Sequence, residues 1–171
     1  MATVELVILK LKLDWSDFQP VRPNTLGGFD AEAGGRISVQ ARGRGAAQVV
    51  LIAVRHTARV ETDTVQTAAL LLHEQGHLDL TIIAAHRMKV DIEGGMNWNS
   101  AARQRSRALG TANTQYDNET NHGTDAAAQA RWNAALQRDL RSFEPNPLGP
   151  CFRMPGGSRD PYSFGFAAGQ F

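Results

Sequence analysis

The sequence predicts an α+β fold in which a small N-terminal β-sheet packs on a long central helix and the C-terminal half is helical. Three observations predict it. Up to residue 61, stretches of alternating apolar residues are broken by glycine and proline. From about residue 64 the chain turns alanine- and leucine-rich and runs without proline or glycine to Gly76. Beyond residue 100, two further stretches carry apolar residues at helical spacing.

The elements follow in order. Residues 3–13 alternate like a strand, with Val7, Leu9, Leu11 and Leu13 on one face. On the other face Val4, Leu6 and Ile8 give way to Lys10 and Lys12. Trp15-Ser16-Asp17-Phe18 leads into a loop containing Pro20, Pro23, Gly27 and Gly28. Strands are expected at 36–42 and 48–61, with a turn at Gly43 and Gly45 between them, giving a twisted, largely antiparallel sheet. Thr62-Asp63-Thr64 supplies N-cap residues for a helix over 64–89. Residues 91–99 form a loop with Gly94 and Gly95, and a second helix over 100–115 turns Ala102, Leu109 and Ala112 to the core. The segment 116–124 is polar and irregular. A third helix starts near Thr124 or Asp125, with Ala128, Trp132, Ala135, Leu136 and Leu140 as its apolar stripe. Residues 1–142 are read as a single domain and 143–171, rich in proline, glycine and aromatics, as its C-terminal arm.

At 171 residues, 42% hydrophobic and 20% charged, the chain has the size and composition of one globular domain. A formal net charge of +1 gives no overall field favouring nucleic acid or an anionic membrane. No run approaches the roughly 20 apolar residues of a membrane span. The N-terminus lacks the basic start and apolar stretch of a secretory signal, so the expected location is cytoplasmic by default, with export by another route or trimming left open. The single cysteine, Cys151, has no internal disulfide partner and no nearby base to activate it.

His73-Glu74-Gln75-Gly76-His77 matches H-E-x-x-H on the long helix. Residues four apart on a helix lie side by side, one turn apart in height, so His73 and His77 can reach one metal ion. Glu74, on the same surface, can take a proton from an activated water and pass it to a leaving amine. Leu70, Leu71 and Leu72 precede the motif, so the histidines and glutamate enter an apolar setting where polar groups need partners. A catalytic zinc commonly has three protein ligands. His122, beside Gly123 in a polar inter-helix segment, is the leading third candidate; Glu119, Asp117 and Asp125 are alternatives. His86 lies about 13 Å further along a continuous helix and His56 sits in a strand, so both are expected to be structural.

Three blocks resemble a bacterial family of predicted zinc-dependent proteases. Leu13-Asp14-Trp15-Ser16-Asp17-Phe18 is similar to that family's L-x-W-x-D-F opening. His73-Glu74-Gln75-Gly76-His77-Leu78-Asp79-Leu80 is similar to H-E-Q-x-H-F-D-I, with Leu78 in place of the usual phenylalanine. Tyr116-Asp117-Asn118-Glu119-Thr120-Asn121-His122-Gly123, followed by Gln129 and Trp132, is similar to Y-D-x-x-T-x-H-G…Q-x-x-W. The resemblance spans about residues 11–136; the tail has no counterpart in it, and many members carry a secretory signal. It implies a zincin-like fold and one catalytic zinc ion on His73, His77 and His122. It also implies Tyr116 as an oxyanion donor and Asp117 as the carboxylate that orients a ligand histidine.

The expected activity is therefore hydrolysis of a peptide or protein substrate lying along the sheet edge, with Glu74 as general base and acid. A non-catalytic zincin-like binding module and a metal hydrolase of non-peptide amides are the alternatives. Substrate specificity and oligomeric state are not readable from the sequence.

Overall fold

The structure, a computed structural model, describes residues 3–43 and 45–143. Its fold is α+β, with four strands and three helices among the described residues. β1 (Thr3–Ile8), β2 (Gln19–Val21), β3 (Ala31–Arg42) and β4 (Val49–Glu61) form one sheet centred on β4. β3 pairs antiparallel along the length of β4. β1 and β2 both pair parallel with β4, β1 from Thr3 opposite Val49 to Ile8 opposite Val54, β2 at Gln19–Val21 opposite Arg59 to Glu61. The sheet is thus mixed rather than largely antiparallel. Alternation reports which face a side chain takes, not which way a neighbouring strand runs.

β1 stops at Ile8, well short of residue 13, and Leu9 is 55% exposed. Past Leu9, whose N–H still donates to the Val54 carbonyl at 3.1 Å, the backbone bonds to the central helix instead of to a strand. The Leu13 N–H donates to Gln75 Oε1 at 2.7 Å, and Gln75 Nε2 donates to the Leu11 carbonyl at 3.0 Å. β3 begins five residues earlier than expected, at Ala31, because Gly34 and Gly35 belong to the strand. A Cβ on Gly35 would lie 2.6 Å from Thr81 Cγ2, so glycine there lets β3 press onto the helix below.

That helix, α1 (Ala68–Glu93), starts later than residue 64 because Thr67 is its N-cap, accepting from the Leu70 amide. Thr64 instead donates its hydroxyl to the Asp30 carbonyl at 2.8 Å. All eight residues from Leu78 to Ala85 are buried, more than two turns, so α1 is covered on every side. On one side Leu78, Ile82, Ala85, Met88 and Ile92 meet Val4, Leu6, Val50, Ile52 and Val54 of the sheet. On the other, Leu80 and Ile83 meet Tyr116, Leu109 and Ala112 of α2 (Trp98–Thr120) and Leu136 and Leu140 of α3 (Ala126–Ser142). Asn97 and Asp125 cap α2 and α3. α2 runs five residues past 115, so Tyr116, Asp117, Glu119 and Thr120 stand on helix rather than in an irregular segment. The expected arm over 143–171, with Cys151, lies outside the described residues after Phe143. No helix among the described residues is long and apolar enough to cross a membrane.

Two titratable groups on α1, half-buried His86 and buried Asp79, give stability opposite pH dependences. His86 stacks on Phe143 with ring centroids 4.8 Å apart, and burial, helped by the Lys89 charge, pulls its pKa down to about 4. The unfolded value is about 6.5, so this contribution is complete above pH 6.5 and is lost as pH falls toward 4. Burial pushes Asp79 up to about 6, against hydrogen bonds from Gln75 and Gln137, so its contribution runs the other way and grows as pH falls through 6. Because Asp79 acts equally in both proteins, His86→Leu is expected to lose less stability than wild type between pH 7 and pH 4. Urea unfolding at each pH measures that difference, and parallel curves would show that His86 is not held neutral.

Candidate metal centre

His73 and His77 stand one turn apart on α1, and each ring is fixed through its Nδ1. His73 Nδ1 lies 3.1 Å from Gln129 Oε1, and His77 Nδ1 lies 3.0 Å from Asn113 Oδ1. The Gln129 amide is itself oriented, since its Nε2 donates to Tyr116 Oη at 2.6 Å and Asn133 Oδ1 at 2.8 Å. An amide oxygen only accepts, so each Nδ1 carries a proton, and Nε2 is the nitrogen left to face Asp117, either donating to the carboxylate or offering its lone pair to a metal ion. This is the arrangement that prepares an imidazole as a metal ligand. The His73 side chain is also closely packed. Tyr116 stacks on it at 4.8 Å and 11°, and a Cβ on Gly123 would lie 2.8 Å from His73 Cβ.

Both Nε2 atoms face Asp117, on the last turns of α2. Asp117 Oδ1 is 2.9 Å from His77 Nε2, 3.4 Å from His73 Nε2 and 3.9 Å from His122 Nδ1. The ligand atoms of His73, Asp117 and His122 all lie within 4.8 Å of one another and form a group that can hold a metal ion. Imidazole lone pairs aimed at a carboxylate oxygen repel it unless a cation, a proton or a metal ion, stands between them. Burial alone would raise the Asp117 carboxyl, but hydrogen bonds from His73 and His77 outweigh it and hold the group well below the usual range. For His77, burial lowers the pKa and the Asp117 and Asn113 hydrogen bonds more than reverse it.

His122 reaches the centre from a turn that ends α2. Asn121 (φ 47°), His122 (φ 50°) and Gly123 (φ 80°) are all left-handed, which costs of order 1 kcal/mol or more for each non-glycine residue. The His122 N–H donates to the Asp117 carbonyl at 2.9 Å and the Gly123 N–H to Thr120 Oγ1 at 3.2 Å, so the turn is held despite the strain. Its side chain is 48% exposed.

Glu74 is buried beside these groups. Its Oε2 has no hydrogen-bond partner, although a buried polar atom without one costs about 1–3 kcal/mol. Burial raises its pKa, while the charges of His77 and His73 and the backbone amide of Ala33 on β3 pull the other way.

No family model, curated protein or solved structure matches this chain.

Of the ligands expected from the sequence, His73 and His122 belong to the group of three, joined by Asp117. His77 stands outside that group and meets it through its 2.9 Å contact with Asp117. Asp117, expected to orient a ligand histidine, thus takes a place among the possible ligands. Tyr116 is fully buried beneath the histidines, its hydroxyl donates to the His73 carbonyl at 3.0 Å, and the same oxygen accepts from Gln129. In this arrangement the Tyr116 hydroxyl is engaged by the His73 backbone and the Gln129 amide.

The alternative ligands have other work. Glu119 accepts from Gln115 and from the Trp132 indole, Asp125 caps α3, and His86 lies against Phe143. His56 Nε2 is 3.9 Å from Asp17 Oδ1. The residues that sequence reasoning missed are the ring-holding amides. Gln129 carried a signal in the third block, whereas Asn113 carried none.

Asn113→Ala is expected to weaken zinc binding about 10–100-fold with the far-UV circular dichroism unchanged, since it frees the His77 ring without opening the core. Competition against a chromophoric chelator measures it, and an unchanged affinity would remove His77 from the ligand set.

Proposed function

We propose that this chain is a zinc-dependent peptidase of the H-E-x-x-H type, as the three blocks of its sequence suggest by resemblance. The observation that carries the proposal is the buried, unpartnered Glu74 Oε2 beside two imidazoles whose Nε2 atoms face one carboxylate. An acceptor in that place has a use if a water enters beside it. The donor set fits zinc, because His73, His77, His122 and Asp117 offer the imidazole nitrogens and carboxylate oxygen that zinc takes. Zinc held there would supply Lewis acidity, acidifying a water and polarising a carbonyl.

The chain's own residues do the rest. Gln129 and Asn113 keep the two Nδ1 protons in place. Glu74 takes the proton of the attacking water and returns it to the leaving amine nitrogen, a role suited by a pKa raised by burial. Among the described residues β3 pairs with no strand but β4, so apart from the Ala33 amide that Glu74 engages its other edge is available to an extended peptide.

One observation favours a second reading. With Asp117 among the donors the site has four candidate ligands, the number at which structural zinc sites close. A binding module would keep Asp117 on the ion, whereas a peptidase would leave a position open.

Elemental analysis after reconstitution separates these possibilities. The wild type is expected to hold about one zinc per chain and His122→Ala to lose most of it. A peptidase retains an exchangeable water, visible to cobalt substitution spectroscopy, and cleaves a peptide library. A wild type that cannot hold zinc overturns the proposal, and a closed four-ligand site without cleavage replaces it by the binding module.

A further inference from the structure

Loop 22–30 carries the chain from β2 around the end of β4 to β3, and it passes His122. Its backbone is anchored on both sides of a short free stretch. Glu61, the last residue of β4, accepts from the amides of Asn24 (2.7 Å) and Leu26 (2.8 Å), and the Leu26 side chain is buried. On the far side, the Asp30 carbonyl accepts from the Glu61 N–H at 2.9 Å and the Thr64 hydroxyl at 2.8 Å. Gly27 (φ 68°) and Gly28 (φ 101°) lie between these anchors. Nothing stands within 4 Å of a Cβ at either, so glycine serves the turn itself and not close packing.

The turn delivers Phe29. Its ring centroid is 5.0 Å from that of His122, tilted by 49°, yet Phe29 remains 45% exposed. A phenylalanine left partly in water beside a half-exposed candidate ligand has apolar surface to offer to something that enters there.

We propose that Phe29 is an apolar contact for substrate beside His122 and selects peptides with a large apolar side chain next to the bond cut. The inference rests on the peptidase proposal. A substrate side chain laid on Phe29 buries the free part of the ring together with its own apolar surface, enough for a preference of roughly tenfold.

The test uses two chelating probes that differ only in side chain, glycine hydroxamate and phenylalanine hydroxamate, titrated calorimetrically into zinc-loaded protein. Wild type is expected to prefer the phenylalanine probe roughly tenfold. Phe29→Ala is expected to lose most of that preference while keeping its zinc and its affinity for the glycine probe, and Phe29→Leu to restore part of it. In cleavage assays KM for substrates with a large apolar residue beside the bond rises in Phe29→Ala and kcat holds. A preference that survives Phe29→Ala with zinc in place overturns the inference alone. Equal weakening of both probes also overturns it, making Phe29 a prop for His122. A zinc-loaded wild type that binds neither probe overturns the open-site peptidase and this inference together.

Discussion

Glu74→Gln is expected to lower kcat by about 10²–10⁴ while about one zinc per chain stays bound. Glutamine has nearly the same shape, so it fills the buried space beside His73 and His77 without opening a cavity. It cannot accept and return a proton, which is the one property the proposed reaction needs at this position. Loss of activity should come without loss of stability. The variant exchanges a buried acid carrying an unpartnered Oε2 for a neutral amide, so the melting temperature of the metal-free protein is expected to hold or rise. Steady-state kinetics, zinc content and thermal unfolding on one preparation measure all three. Full activity in Glu74→Gln would falsify the proposed mechanism, and lost zinc would show that Glu74 supports the ligands instead.

Gly76→Ala is expected to destabilise the fold by about 1–3 kcal/mol, although alanine is the better helix former by about 1 kcal/mol. The steric term wins because of where the methyl would go. A Cβ on Gly76 would lie 2.2 Å from Tyr116 Oη and 2.5 Å from Tyr116 Cζ. Tyr116 cannot yield, being fully buried with its hydroxyl bonded to the His73 carbonyl and to Gln129. Whatever moves Tyr116 moves the His73 ring stacked on it, so zinc affinity is expected to fall as well. Gly110 on α2 is the internal control, with nothing within 4 Å of an added Cβ. There the propensity term stands alone, and Gly110→Ala is expected to stabilise by up to about 1 kcal/mol. Urea unfolding of the two variants should therefore give opposite signs. A Gly76→Ala protein as stable as wild type would show that the helices separate easily at the candidate metal centre.

The second variant explains a residue that the motif leaves free. In H-E-x-x-H the fourth position is unspecified, and the sequence offered no reason for glycine there. The reason is a contact with Tyr116, forty positions later, on a helix whose last turns looked like loop in the sequence. Residues 116–120 are rich in polar side chains, which blurs helical periodicity. Only the packing of Tyr116 and Thr120 against α1 shows that the helix continues.

His73, Glu74 and His77 are legible because their relationship is local, as four residues along a helix bring two imidazoles together whatever surrounds them. The long buried helix, the sheet before it and the helical second half were legible for a similar reason, since apolar period and capping residues are short-range signals. Strand direction depends instead on how the chain passes around β4, and no stretch of β1 or β2 records that. The tautomers of His73 and His77 depend on Gln129 and Asn113, which are 56 and 36 positions away. The places of Asp117 and Tyr116 were likewise decided by tertiary structure: one last turn of α2 directs the carboxylate among the imidazoles and folds the phenol beneath them. The sequence alone determined that two imidazoles and a carboxylate stand together on one helix, because that is a matter of residue type and local spacing. Only the tertiary structure decided which groups meet, because burial and hydrogen bonding across elements choose among donors that look alike along the chain.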